Sequence, residues 1–130
     1  MTTPRIFVSH SHHDDEFGVR LVQNLRSELG NDDAVWYDSR GGLHGGDLWW
    51  STIVHEVTTR EVFLLVLSPQ AMDSYWVMRE LEMAITQRKL IIPLLYRDCE
   101  VRPDLMTIQM IRFLPPKSYE VAFAELLKAL

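Results

Sequence analysis

Short apolar runs alternate with longer amphipathic stretches along the chain. The runs are typical of strands that are covered on both faces, and the stretches repeat apolar residues at the three- and four-residue spacing of helices. The pattern predicts five strands, at residues 6–8, 34–37, 62–67, 90–95 and 111–114. Between and after them it predicts four helices, at 14–29, from 47 onward, 74–87 and 118–130, with a short fifth helix within 101–110.

Several residues carry finer expectations about these elements. Pro93 lacks an N–H group, so one edge of the fourth strand should be unpaired there. Ser11 and Gly30 are suited to begin and end the first helix, and Asp73 or Ser74 to begin the third. The apolar faces of the second and last helices are predicted to contain, respectively, Trp50, Ile53, Val54 and Val57, and Phe123, Leu126 and Leu127.

Repeated strand–helix alternation predicts the architecture. We expect an α/β, flavodoxin-like three-layer sandwich, with a five-stranded parallel sheet and helices on both faces. The length of 130 residues favours one domain over 1–130, and an apolar helix at its end is compatible with one module of a longer protein. Ligands of such sheets bind beyond the carboxyl ends of the strands, where 9–15, 38–47 and 68–80 should lie.

The charge of the chain is acidic and uneven. Its 13 basic and 18 acidic residues give a net charge of −5, so nothing favours nucleic acid as a partner. Residues 1–65 hold 5 basic and 10 acidic side chains, whereas 66–130 hold 8 of each. All of the net charge therefore lies in the first half.

Cysteine content and hydropathy indicate the compartment. Cys99 is the only cysteine, so neither an internal disulfide nor a thiolate zinc cluster can form. No apolar run is long enough to cross a bilayer, and the N-terminal residues lack the apolar core of a signal peptide. We expect a cytoplasmic domain without membrane contact.

The polar segment 10–15 contains His-x-His-x-Asp, which begins like the zinc motif of metallo-β-lactamase-type hydrolases. Asp15 stands where the next histidine ligand should be, so the motif fails. The interpretation we favour is a polar loop whose acidic residues lie near the positive end of the following helix. No metal site is predicted.

Two other chemistries are disfavoured by the residues at the ligand-binding edge. The glycine-rich segment 41–46 matches neither the GxGxxG pattern nor the P-loop lysine pattern of nucleotide sites. A phosphorylated receiver domain needs an aspartate at the end of the third strand, which here continues as Ser68-Pro69. The segment 38–47 is therefore predicted to be an irregular loop beside the edge where ligands bind.

Trp76 and Glu80 are four residues apart, so they share one face of the third helix. An aromatic wall can stack on a ring, and a carboxylate can stabilise positive charge at an anomeric carbon. The alternative is a half-buried tryptophan beside a solvated glutamate. Glu82 should face away from this pair.

The segments in this order resemble the TIR domain (Toll/interleukin-1 receptor/resistance protein) family, in its bacterial type, over nearly the whole chain. Residues 6–11 resemble its first box, 36–38 and 43–50 its second strand and BB loop, and 63–69 with 74–81 its third strand and Ser-x-Trp-Cys-x-x-Glu-Leu signature. Val77 replaces the usual cysteine, and His10 the usual tyrosine.

The resemblance implies one of two functions. Many members cleave NAD and release nicotinamide, often in defence or cell-death pathways. They need no cofactor, and they become active on self-association through the BB loop. Others are non-catalytic adaptors that bind other TIR domains. The glutamate at Glu80 distinguishes the catalytic members from many animal adaptors. By position, Glu80 would be catalytic, and the substrate-binding residues would be Ser9, His10, Ser11, Asp38, Gly46 and Trp76.

An acidic rim should weaken the capture of an anionic dinucleotide. We therefore expect the isolated domain to be a poor enzyme until assembly remodels the loops that carry this rim. The rim would consist of Asp14, Asp15, Glu16, Asp38 and Asp47.

Overall fold

The computed structural model describes residues 3–38 and 47–130 and shows one five-stranded sheet. The strands lie in the order β2-β1-β3-β4-β5, and every neighbouring pair is parallel. The flavodoxin-like architecture is therefore confirmed. The strands are β1 Ile6–Ser9, β2 Val35–Tyr37, β3 Val62–Leu67, β4 Leu90–Leu95 and β5 Ile111–Arg112.

Serine side chains begin most of the helices. The Ser11 hydroxyl accepts a hydrogen bond from the His13 N–H in the 3-10 turn before α1, and Ser74 accepts one from Val77 at the start of α4. Gly30 ends α1 in the left-handed conformation. The helices are α1 Asp15–Leu29, α2 Asp47–Thr59, α3 Pro69–Met72, α4 Tyr75–Thr86 and α5 Tyr119–Ala129.

The core consists of two layers, one on each face of the sheet. Successive side chains of a strand point to opposite faces, so Ile6 and Val8 pack with α1 and α5, whereas Phe7 packs with α2 and α4. All six residues of β3 are buried, as the unbroken apolar run predicts. Strand β1, which ends at Ser9, is also buried throughout and lies between β2 and β3 in the sheet.

The structure differs from the pattern in a few details. Val54 is 36% exposed and does not belong to the buried face of α2. The segment 101–110 contains only the 3-10 turn Pro103–Leu105, and β5 stops at Arg112, shortly before two prolines. That short strand pairs only with Leu94 and Leu95, so in the described part of the chain the β5-facing edge of β4 has no strand partner at Pro93, as predicted.

Candidate active site

A hydrogen bond joins the end of β1 to the second turn of α4. The Ser9 hydroxyl donates to Glu80 Oε1 at 2.7 Å. Ser9 is 1% exposed and Glu80 is 7% exposed. The alternative of a solvated glutamate is therefore wrong, because the carboxyl group is buried where the strands present their carboxyl ends.

The environment of Glu80 favours its neutral form. Burial is the largest influence and raises the pKa of Glu80 to about 8, the hydrogen bond from Ser9 lowers it, and the charge of Asp38 raises it. Within the described residues, no basic side chain forms an ion pair with this carboxyl group. Glu80 is thus a buried acid without a compensating cation in the described structure.

Trp76, one helical turn before Glu80 on α4, belongs to an aromatic cluster. Its ring lies edge-on to Trp49 at 4.9 Å and also contacts Trp50 and Tyr75. The Trp49 indole N–H donates to Asp38 Oδ2 at 3.1 Å. This chain of contacts connects the residue after β2 with α2 and α4. The sequence places Trp49 only within the BB-loop-like segment 43–50 and not among the candidate site residues, although an indole next to a glycine-rich loop was a usable signal.

His10 is buried within a second polar group of side chains. Its Nε2 lies 3.0 Å from Asp15 Oδ1, and its ring stacks on Tyr37 at 4.1 Å. The Tyr37 hydroxyl donates to the same Asp15 oxygen at 2.6 Å. Burial lowers the pKa of His10, opposed by the Asp15 charge and hydrogen bond, whereas burial and Asp15 raise the pKa of Tyr37.

Gly18 makes room for this arrangement. A Cβ atom at that position would lie 2.5 Å from the Tyr37 hydroxyl oxygen, far inside van der Waals contact. The absence of a side chain on α1 therefore allows Tyr37 to reach Asp15. The sequence alone does not reveal this role, since only the fold shows which side chain faces Gly18.

A second buried serine–carboxyl pair lies at the end of β3. Ser68 donates to Asp14 Oδ2, and Asp14 is 1% exposed. The Nε of the half-exposed Arg97 lies 3.9 Å from Asp14 Oδ1, which has no hydrogen-bond partner among the described residues. Asp14 therefore does not belong to the acidic rim predicted from the sequence.

The predicted substrate residues occupy different positions in this site. Ser9 contacts Glu80, and Asp38 acts on it through charge. Trp76 lies in the aromatic cluster. Ser11 is buried and its hydroxyl caps the turn before α1. Gly46 lies outside the described residues. In the part of the chain that is described, no group of three or more His, Cys, Asp or Glu could hold a metal ion.

The sequence and the fold both match known proteins of one family. The sequence model of the TIR domain matches residues 6–127. The chain belongs to the TIR domain family. Among curated protein sequences, none matches this chain. In the described part of this TIR domain, no helix has the length and apolar character needed to span a membrane.

Two solved TIR structures show the same fold. One is the TIR domain of the Toll-related receptor TRR-2 from Hydra magnipapillata, with a TM-score of 0.78 at 18% identity, covering 95% of this chain and 95% of that chain. Another is the RPS4 and RRS1 TIR domain heterodimer, with a TM-score of 0.69 at 14% identity, covering 97% of this chain and 94% of that chain.

Proposed function

We propose that this TIR domain cleaves NAD at the nicotinamide–ribose bond, with Glu80 as the catalytic residue and no cofactor. Self-association with other TIR domains activates it, and it serves defence or cell-death signalling in the cytoplasm. The observation that carries this proposal is the buried Glu80 carboxyl group, which has a raised pKa and no cationic partner among the described residues. Such a group lowers stability, and strongly perturbed acids cluster at functional sites.

The reaction needs little more than one carboxylate. Nicotinamide in NAD is already cationic, so the electron pair of the C1′–N bond leaves with it and neutral nicotinamide is released. Positive charge then develops on the ribosyl C1′, and the ionised Glu80 stabilises it. Water attacks C1′ and loses a proton to give ADP-ribose, or the adenine of the same molecule attacks to give a cyclic product.

Glu80 must be ionised for this role, and its surroundings make ionisation conditional. With a pKa of about 8, roughly a tenth of the carboxyl groups are ionised at pH 7. A cationic nicotinamide ring nearby favours the ionised form. Substrate binding and ionisation therefore support each other in this proposal.

The remaining residues would hold the dinucleotide around Glu80. We assign substrate contacts to the loop that follows β1, to the BB-loop segment that follows β2, and to the aromatic cluster around Trp76. The anionic groups on that side weaken capture of the diphosphate, so assembly has to reshape the loops. The residues assigned are His10, Ser11, Asp38, Gly46 and Trp76, whereas Ser9 contacts Glu80 itself.

The test is nicotinamide release from NAD by the concentrated chain and by a fusion to an oligomerising domain. Glu80→Gln should lose activity by at least about a hundredfold. Glu82→Gln is the matched control, because Glu82 lies on the same helix, exposed and 2.7 Å from Arg102. Equal activity in Glu80→Gln and wild type would refute the site.

The second candidate is a non-catalytic TIR–TIR interaction module. A groove of about 510 Å³ lies along α4, lined by residues that include Trp50, Tyr75, Met78 and Arg79, and Tyr75 is 63% exposed. An exposed aromatic surface of this kind favours a protein partner. One of the similar structures is a heterodimer of TIR domains. A wild-type chain that self-associates but releases no nicotinamide would favour this function over NAD cleavage.

A further inference from the structure

The Ser9–Glu80 hydrogen bond fixes the carboxyl group from outside its own helix. Glu80 is carried by α4, which packs on β1, and the donor is the last residue of that strand. The O···O distance of 2.7 Å is that of a well-formed hydrogen bond. Within the described residues, no other side chain donates a hydrogen bond to this carboxyl group.

A serine hydroxyl has a single proton to donate. The Ser9 hydroxyl donates to Glu80 Oε1, so while this hydrogen bond is kept it has no second proton to donate to a substrate. Ser9 is also almost fully buried. We propose that Ser9 is a positioning residue, whose hydroxyl orients the Glu80 carboxylate and stabilises its ionised form. This inference rests on the proposed function for the catalytic role of Glu80.

The groups that face Glu80 make this hydrogen bond important. The burial of the Glu80 carboxyl group opposes its ionisation, and so does the charge of Asp38, which follows β2. The Ser9 hydroxyl favours the ionised form. No described basic group offsets the two opposing influences. Removal of the hydroxyl should therefore leave Glu80 both freer to rotate and harder to ionise.

Ser68 provides a matched control for the loss of a buried serine hydroxyl. It directly follows the neighbouring strand β3, is fully buried, and donates to Asp14 instead of Glu80. Its hydroxyl also accepts a hydrogen bond from the Ala71 N–H at 3.0 Å. Ser68→Ala thus removes at least as many structural hydrogen bonds as Ser9→Ala, without touching the candidate catalytic group.

The decisive experiment follows the side-chain carboxyl ¹³C signal of Glu80 through a pH titration, with Glu80→Gln identifying the signal. In Ser9→Ala the midpoint should shift upward by about one pH unit, and Ser68→Ala should leave it in place. Ser9→Thr keeps the hydroxyl and should titrate like wild type. An unchanged midpoint in Ser9→Ala would overturn the inference, whether or not the protein cleaves NAD.

A second pair of variants keeps the test decisive if Ser9→Ala does not fold. Ser9→Thr and Ser9→Val have nearly the same shape and differ in the hydroxyl group. The midpoint of the Glu80 titration should be about one pH unit higher in Ser9→Val than in Ser9→Thr. Equal midpoints in these two variants would contradict the positioning role.

Kinetics separate positioning from direct substrate contact. At pH 7, Ser9→Ala should lower kcat/KM about tenfold, because the ionised fraction of Glu80 in the free protein falls with the pKa shift. A raised KM with an unmoved Glu80 titration would instead show that Ser9 binds substrate. If even wild type releases no nicotinamide, the proposed function fails, and the titration still decides what Ser9 does to Glu80.

Discussion

Two serine–carboxyl pairs lie at the ends of neighbouring strands, and they differ in what surrounds the carboxyl group. Ser9 is the last residue of β1 and Ser68 directly follows β3, and each donates to a buried acid. Asp14 lies just before the N-terminus of α1 and near Arg97. Glu80 lies inside α4, near the negative charge of Asp38.

The difference indicates different roles. A helix N-terminus and a guanidinium group favour a carboxylate, so Asp14 can join α1 to β3 as a structural anchor. Glu80 has neither support, and its burial is a cost to the fold. Buried carboxyl groups without a nearby cation or helix N-terminus are candidates for a catalytic role. The comparison predicts that removing the first acid harms stability and removing the second improves it.

Asp14→Ala should give the largest stability effect. It leaves the buried Ser68 hydroxyl without its acceptor and removes the contact between α1 and β3. We expect a loss of about 2–4 kcal/mol in the free energy of unfolding, measured by urea denaturation at pH 7. A loss below about 0.5 kcal/mol would contradict the structural role assigned to Asp14.

Glu80→Gln should stabilise the protein by about 1–3 kcal/mol at pH 7, since the amide carries no charge to bury. The folded state holds the Glu80 proton up to a pH of about 8, above the ordinary value of 4.5. Wild-type stability should therefore fall as pH rises from 4.5 to 8, and the advantage of Glu80→Gln should widen over that range.

Denaturation curves at pH 5, 7 and 9 check this expectation. Glu82→Gln serves as the exposed control and should change stability by less than about 1 kcal/mol throughout. A variant Glu80→Gln that is less stable than wild type at pH 9 would show that the carboxylate supports the fold.

Gly18→Ala tests the smaller polar group around His10. The new methyl group would displace Tyr37 from Asp15. Because alanine also favours the helix, we expect a net loss of only about 1 kcal/mol. A melting temperature equal to that of wild type, with Tyr37 fluorescence unchanged, would mean that Tyr37 has room to move.

The sequence predicted which strand ends would meet, because alternation and apolar runs determine a parallel sheet. It also predicted that Glu82 faces away from the site. It did not predict that Ser9 would bond to Glu80 or Ser68 to Asp14, since these pairs are separated by 71 and 54 positions. Asp14 was assigned to an exposed rim because local pattern does not distinguish a buried capping-region acid from a surface one.

The surroundings of Trp76 were also only partly predictable from the sequence. Helical spacing correctly placed it one turn from Glu80, but the rings that it contacts are those of Trp49, Trp50 and Tyr75. Two of these belong to α2, whose approach to α4 depends on packing across the whole layer. The fold was therefore predictable from pattern, whereas the environment of the candidate site required the tertiary structure.

The most direct test of the account is the pH dependence of nicotinamide release by the oligomerised wild-type chain. If the buried Glu80 carboxylate performs the chemistry, kcat/KM should rise with pH and level off above a midpoint near 8, and Glu80→Gln should show no such rise. A kcat/KM that is constant from pH 6 to 9, or a Glu80→Gln variant that retains the wild-type profile, would contradict the account.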